Sequence, residues 1–250
     1  MRLDAATVLL QWAGGGLLWG WWTLRTREVS AGYARLVRAT FGVIAAGACA
    51  AGVAIDAVPA REAAAAIVAL VALAGAVRTA LPARVDLAAA ALALAGCLAA
   101  VIDATVVRGE AAGGTVALAL ARVAIGTAFL GLVSDAMLLG HWYLVQPGMP
   151  RRLLNDLVRA LMLVWPLEIA ALVWPPGMAS VLTGAIDDGW GGVLGWFWLA
   201  CAALTGVLAL VARAALRERS YSAVMAATGL TYLSILTGFG TDLIARALLA

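Results

Sequence analysis

A histidine, a tryptophan and a tyrosine follow one another in the stretch LLGHWYLVQPGMPRR, and a serine and an aspartate precede them. These residues are Ser134, Asp135, His141, Trp142 and Tyr143, and His141 is the only histidine of the chain. A quinone site needs a hydrogen-bond donor for a carbonyl oxygen, an aromatic wall and a titratable group near a membrane interface. Because this stretch supplies all of these side-chain types, it is a candidate quinone-binding site.

The helical direction of these side chains separates them into two groups. Asp135 and His141 are six residues apart and point about 240° apart on a helix, whereas Ser134 shares the face of His141. A hydrolase set of Ser134, Asp135 and His141 is therefore disfavoured, because these helical directions disagree with a catalytic triad and a hydroxyl alone is not a nucleophile. The alternative to a ligand site is an interfacial anchor, since aromatic residues are enriched at membrane interfaces and the turn QPGMP follows directly.

The residue counts restrict cofactor chemistry. One histidine cannot supply two axial imidazoles, so a bis-histidine haem is excluded, and no pattern favours a haem with histidine and methionine ligands. Cys49, Cys97 and Cys201 lie in separate apolar runs without CxxC or metal-ligand spacing, so we expect small buried side chains there. The sequence thus predicts no metal site, disfavours haem and leaves quinone as the candidate cofactor.

Glu168 is the deepest acidic residue of the apolar runs, in the stretch LVWPLEIAALVWPP. Pro166 precedes it and removes the hydrogen bond to the carbonyl of Met162, which kinks a helix. An ionisable group inside a membrane span is costly and indicates function by default. We expect Glu168 to accept a proton or bind a ligand, and the alternative is a protonated structural acid bonded to a neighbouring helix.

The last apolar run, YSAVMAATGLTYLSILTGFGTDLIA, is rich in hydroxyl groups. One side of its helix carries Thr231, Ser234 and Thr241, and another side carries Tyr232. We expect this helix to be buried and to line a cavity. The alternative is that the hydroxyls hydrogen-bond to carbonyls of their own helix.

Other charged residues lie close to the ends of apolar runs. We expect Arg122 to snorkel outward from one to two turns inside its run, with pairing to an acid of a neighbouring span as the alternative. We interpret Asp187 and Asp188 as a solvated turn, with loose cation binding as the alternative. We expect solvation at the membrane interface for the following residues: Asp56, Asp103, Arg78 and Asp242.

Apolar membrane helices position all of these residues. The chain has 250 residues, of which 64% are hydrophobic and 12% charged, whereas soluble domains are about half apolar and about a quarter charged. Such a chain cannot cover a soluble surface, and its runs are continuous rather than alternating, so we predict an all-α polytopic membrane protein. It forms one transmembrane domain over 1–250 with about eight spans: 5–24, 40–59, 63–82, 86–107, 115–145, 153–175, 190–212 and 221–245.

The arginine distribution predicts the orientation. Twelve arginines follow odd-numbered spans, and only Arg2, Arg61, Arg108 and Arg246 lie on the other side. By the positive-inside rule both termini are outside, in a bacterial-type inner membrane. The first run contains an acid and four tryptophans and lacks a small-residue cleavage site, so we interpret it as a retained span and not as a signal peptide.

Two functions agree with these features. The first is a membrane subunit of an electron-transfer complex that packs against redox partners, with or without a quinone near the cytoplasmic interface. The alternative is a small-solute or proton-coupled transporter that uses Glu168 and the hydroxyl face of the last span. The lipid bilayer and other membrane subunits or further copies of the chain are the expected partners. Short loops, no GxxxxGK[ST] motif and no basic cluster with aromatics argue against an ATP-driven pump, a catalyst acting alone and nucleic-acid binding.

Overall fold

The computed structural model describes residues 4–78, 81–109 and 115–249, and this part of the chain is helical, without strands. Polar side chains fix several helix starts: Asp4 accepts a hydrogen bond from the amide of Ala6, and Ser220 from that of Ala223. The helices are α1 (Ala5–Leu24), α2 (Ala31–Ile55), α3 (Pro59–Val77), α4 (Arg84–Ile102, extended by a π-helical turn Asp103–Val107), α5 (Val116–Trp142), α6 (Arg152–Val173), α7 (Met178–Leu182), α8 (Val193–Ala215) and α9 (Tyr221–Leu248).

The fold class predicted from composition is confirmed, and a long helix overlaps each predicted span, although α2 ends at Ile55 and α3 at Val77, before the predicted ends at 59 and 82. Six helices of the described chain are long and apolar enough to cross a membrane: Ala31–Ile55, Pro59–Val77, Arg84–Val107, Val116–Trp142, Val193–Ala215 and Tyr221–Leu248. The first and sixth predicted spans correspond to α1 and α6, which are not among these six helices, so a count of eight spans stays a prediction.

Two helix boundaries differ from the predicted spans in ways that matter below. α2 begins nine residues before the predicted start at 40, because Tyr33 and Val37 are buried and extend its packed face. α9 continues to Leu248, three residues past the predicted end. Residues 79–80 of the third predicted span and Arg2 of the orientation argument lie outside the described residues.

The connections that follow α1, α3, α5 and α8 lie at one end of the bundle, which we call the arginine-rich end. Trp142 donates a hydrogen bond to Ser30 between α1 and α2, and Arg151 donates one to the carbonyl of Ser220 between α8 and α9. At the opposite end, Asp4 pairs with Arg61. The arginines that predict orientation are thus grouped by the fold, while the assignment of this end to the cytoplasm stays a prediction.

α1 packs at the centre of the bundle, against α2, α4 and α5. Gly15 on α1 and Gly131 on α5 bring the two backbones into direct contact. A Cβ atom added to Gly15 would lie 1.8 Å from the carbonyl oxygen of Thr127. Only glycine permits this approach, which fixes α1 against the helix that carries most of the candidate site residues.

Candidate functional site

Five polar side chains from four helices meet inside the bundle, and we call them the Glu168 cluster. The cluster consists of Glu168 on α6, Arg122 on α5, Asp242 and Arg246 on α9, and Gln11 on α1. All five side chains are at most 1% exposed. Four of them lie about 8–9 Å inside their helix ends at 1.5 Å per residue, on the side opposite the arginine-rich end. The fold therefore brings together residues that lie far apart in the sequence.

Glu168 is buried without a fixed partner. Both carboxyl oxygens are inaccessible, and neither accepts a well-formed hydrogen bond from any described residue. Asp242, Arg246 and Arg122 lie near enough to interact with it electrostatically. Because a buried carboxyl without hydrogen bonds is costly, structural packing alone gives a poor explanation for this residue.

Asp242 and Arg246 form an ion pair four residues apart on α9. The two bonds join Nε to Oδ2 at 2.5 Å and Nη2 to Oδ1 at 3.0 Å. The prediction that Asp242 is solvated at the interface is wrong, because α9 extends beyond the predicted end and places this carboxyl six residues inside the helix. Arg246, which the sequence assigned to an outer connection, is buried beside it.

Arg122 caps the end of α6. Its Nε donates to the carbonyl of Ala171, and its Nη2 donates to the carbonyls of Trp174 and Pro176, each at 2.9 Å. These carbonyls lie where a helix leaves acceptors unpaired and where its dipole is negative. The prediction that Arg122 snorkels outward is therefore wrong. Its Nη1 is buried without a hydrogen-bond partner among the described residues, with Glu168 in electrostatic range.

A glycine on α5 makes room for the cluster. A Cβ atom at Gly126 would stand 3.3 Å from both Nη2 of Arg246 and Oδ1 of Asp242, and 3.4 Å from Nε2 of Gln11. Gln11 donates from Nε2 to the carbonyl of Val123 at 2.7 Å, and its Oε1 has no partner in the described chain. The absence of a side chain on Gly126 thus lets polar groups of α1 and α9 approach one another.

The arrangement is suited to proton exchange. The carboxyl of Glu168, which no hydrogen bond holds, can bind and release a proton beside the carboxyl of Asp242. The guanidinium groups of Arg122 and Arg246 balance the two carboxylates when both are ionised. No group of three or more histidine, cysteine or acidic side chains that could hold a metal occurs within residues 4–78, 81–109 and 115–249.

His141 faces a different helix from the other residues of its stretch. Its Nδ1 lies 3.3 Å from the hydroxyl of Tyr232 on α9, and the two rings meet edge to face with centroids 6.2 Å apart. Both side chains are exposed on the bundle surface. The structure thus brings together two residues that the sequence singled out on separate spans.

Trp142 and Tyr143 donate hydrogen bonds to residues of the connections at the arginine-rich end. The indole of Trp142 donates to Ser30 and to Gln146, in both cases at 3.3 Å, and the phenol of Tyr143 donates to the carbonyl of Pro150 at 2.8 Å. Among the described residues, no hydrogen bond or ring contact joins either side chain to the His141 imidazole. Their geometry favours the interfacial-anchor interpretation over a common quinone site.

Asp135 and Ser134 point towards α1 and α2. Asp135 is fully buried, its Oδ1 accepts a hydrogen bond from Tyr33 at 3.4 Å, and its Oδ2 has no partner among the described residues. The hydroxyl of Ser134 accepts from the indole of Trp12 at 2.8 Å. Asp135 and His141 bind different helices, in agreement with their 240° separation.

The hydroxyl face of α9 is bonded to its own backbone. Thr231, Ser234 and Thr241 are buried and donate to carbonyls three or four residues earlier. The helix is buried on this face only, since Tyr232, Leu233 and Leu236 are exposed, and its hydroxyls follow the structural alternative.

Asp188 organises the start of α8. Its two oxygens accept hydrogen bonds from the amides of Trp190, Gly192, Leu194 and Gly195 at 2.8–3.2 Å. The amide of Gly192 makes the largest contribution to lowering the pKa of this carboxyl, and the other three add to it. The expectation of a solvated turn is wrong for Asp188, since this carboxylate is a buried helix-capping acceptor, whereas Asp187 is exposed.

The sequence pattern identified Glu168 but did not identify three other members of its cluster, which are Asp242, Arg246 and Gln11. Asp242 and Arg246 carry a usable signal, because an acid and an arginine four residues apart share a helix face. Gln11 carries no such signal, and neither does Tyr33, which donates to Asp135 outside the cluster, since their partners lie more than 100 residues away.

Comparison with models of known families, with curated proteins and with solved structures finds no match to this chain.

Proposed function

We propose that this chain is a proton-coupled transporter of small solutes in which Glu168 carries the proton. The observation that supports this function best is a buried carboxyl that no arginine or backbone amide holds by a hydrogen bond, beside two arginines and the nearby carboxyl of Asp242, inside a bundle of apolar helices. Of the two functions predicted from the sequence, geometry favours the transporter, because the residues of the predicted quinone site are dispersed.

The position of the cluster supports alternating exposure. It lies at the junction of α1, α5, α6 and α9, so a small movement between α6 and α9 would change the surroundings of Glu168. A proton that binds Glu168 changes its attraction to Arg122 and Arg246, which bind different helices. Proton binding and helix position are therefore coupled in this arrangement.

A second buried carboxyl, that of Asp135, lies on α5. Asp135 lies thirteen residues after Arg122, which is about 20 Å along the helix axis, towards the arginine-rich end. One of its oxygens also lacks a partner in the described chain. Glu168 on α6 and Asp135 on α5 thus lie towards opposite ends of the bundle, and intramembrane acids are typical of proton pathways.

The test is solute uptake into proteoliposomes. An imposed proton gradient drives uptake of a panel of small metabolites, which mass spectrometry identifies after filtration. Glu168→Gln removes the proton site with little change in volume and should abolish gradient-driven uptake, whereas Glu168→Asp should retain part of it. Glu218→Gln is the matched control, because Glu218 is an exposed acid outside the cluster. Uptake that is unchanged in Glu168→Gln would refute the proposal.

A spectroscopic measurement tests the proton site without a known solute. Infrared difference spectra between acid and alkaline pH should contain, besides the bands of the exposed acids, a protonated-carboxyl C=O band at the higher frequency of a carboxyl without hydrogen bonds. This band should be missing in Glu168→Gln and present in Glu218→Gln. A band that persists in Glu168→Gln would assign the titrating carboxyl to another residue.

The second candidate function is a membrane subunit of an electron-transfer complex. Contact between the exposed imidazole of His141 and the phenol of Tyr232 supports it, since both groups can hydrogen-bond a quinone carbonyl at the bundle surface. Purification from native membranes should then yield redox partners and extractable quinone. His141→Ala and Tyr232→Phe should each reduce the quinone recovered. Monodisperse protein without quinone or partners would argue against this function.

A further inference from the structure

A cavity with a basic wall opens at the arginine-rich end of the bundle, where α1 ends and α2 and α4 begin. Its volume is about 680 Å³. Its arginines are Arg25, Arg27, Arg38 and Arg84, and no acidic side chain lines it among the described residues. We propose that this cavity binds the phosphate headgroup of an anionic lipid.

Three of the four arginines are available to a ligand. Arg38 is already held by Asp86 through two bonds of 2.8 Å, so it forms a fixed part of the wall. Within the described chain, no carboxylate forms a salt bridge with Arg25, Arg27 or Arg84. Unpaired guanidinium groups around one cavity provide the planar donors that phosphate oxygens accept.

The aromatic residues at the end of α1 hold one of these arginines in place. The guanidinium carbon of Arg25 lies 3.6 Å from the ring centroid of Trp22 and 5.7 Å from that of Trp21. Its Nε donates to the carbonyl of Trp22 at 3.2 Å. A guanidinium that is already oriented loses less conformational entropy when it binds an anion.

The remaining lining favours a lipid over a free anion. Leu24, Val29, Leu81 and Pro82 contribute apolar surface beside the arginines. Tryptophans of α1 mark the headgroup level of a membrane. A basic pocket between helices at that level fits an acidic headgroup with its glycerol on the apolar wall.

Lipid retention tests the proposal. Purified protein in nanodiscs of phosphatidylcholine with a fraction of phosphatidylglycerol is transferred to detergent, and the lipid that remains bound is measured by native mass spectrometry. Wild type should retain phosphatidylglycerol in preference to phosphatidylcholine. The triple variant Arg25→Gln/Arg27→Gln/Arg84→Gln should bind phosphatidylglycerol about 100-fold more weakly, because each arginine near an anionic surface contributes a few-fold to the affinity.

The matched control removes the same charge elsewhere at the arginine-rich end. Arg159→Gln/Arg217→Gln/Arg219→Gln changes three exposed arginines outside the cavity and should retain the lipid as wild type does. Equal losses in the two triple variants, or equal retention of phosphatidylcholine and phosphatidylglycerol, would overturn the proposal.

Chemical footprinting of the wild-type protein tests the same cavity and does not depend on whether a variant folds. Phenylglyoxal modifies accessible arginines, and peptide mass spectrometry reports each site. Phosphatidylglycerol vesicles should protect Arg27 and Arg84 but leave Arg217 reactive, whereas phosphatidylcholine vesicles should protect none of them. Protection by inorganic phosphate alone at equal phosphate concentration would assign the cavity to a soluble anion and overturn the lipid assignment. Absence of protection by any of these probes would also overturn it.

Discussion

Replacing Arg246 by glutamine should cost more stability than removing both members of its ion pair. Asp242 is 0% exposed and Arg246 is 1% exposed, and removing one partner of a buried pair costs about 3–5 kcal/mol. We expect Arg246→Gln in the upper half of this range, because Glu168 also faces this guanidinium. Two carboxyls would then be left with Arg122 as their remaining cation in the cluster.

The double variant Asp242→Asn/Arg246→Gln places two neutral amides where the ion pair was. Because it leaves no unpaired charge on α9, we expect it to recover about half of the loss or more. The coupling energy of the double-mutant cycle should then reach about 2 kcal/mol or more. Arg217→Gln, at an exposed position on the α8–α9 connection, controls for loss of charge.

Unfolding in mixed micelles measures these differences. Titration with sodium dodecyl sulphate, followed by circular dichroism and by tryptophan fluorescence, gives the free energy of unfolding of each variant. A loss below about 1 kcal/mol for Arg246→Gln, or a double variant as unstable as the single variant, would refute the idea that this pair is desolvated and coupled.

Three further changes test other parts of the structure. Gly15→Ala would place a Cβ atom 1.8 Å from a backbone oxygen of α5, so α1 must move by about 1.5 Å at a cost of about 1–3 kcal/mol in the same assay; an unchanged unfolding curve would contradict the close packing. Ser134→Ala leaves the indole N–H of Trp12 without its acceptor and should cost about 1–2 kcal/mol, with a shifted tryptophan emission. Asp188→Asn should lower thermal stability at neutral pH. Because the amide of Gly192 and its neighbours lower the pKa of Asp188, the difference from wild type should persist above the ordinary aspartate value of 3.8 and vanish as pH falls through the lowered pKa; a difference that is independent of pH would exclude this charge effect.

The helices could be predicted from the sequence because their signals are local. Continuous apolar runs require internal hydrogen bonding in lipid, and polar caps mark helix starts, so α1 matches its predicted bounds of 5–24. The early start of α2 could not be predicted from hydropathy. Arg35 and Arg38 interrupt the apolar run, yet Arg38 is compensated by Asp86 of α4, and only the fold reveals that pairing.

The candidate site was predicted only in part, since burial depends on neighbouring helices. Glu168 is identifiable because apolar residues surround it in the sequence itself. Asp242 resembles an interfacial acid by its distance from the end of its run, and its burial follows from contacts between α9 and α5. His141 and Tyr232 were both selected as polar groups on apolar helices, but their contact spans 91 residues and no local pattern encodes it.

Burial does not distinguish Glu168 from the buried ion pairs of this bundle, and hydrogen-bond satisfaction does. Arg38 and Asp86 are as buried as Glu168, yet each oxygen of Asp86 accepts a bond of 2.8 Å and Arg38 also donates to the carbonyls of Gly75 and Leu81. Such a closed pair can hold α2 against α4. Glu168 has the same burial but no bonds that fix its charge state, so a proton can bind there without breaking an ion pair. This difference is why we assign the proton to Glu168 and a structural role to the pair.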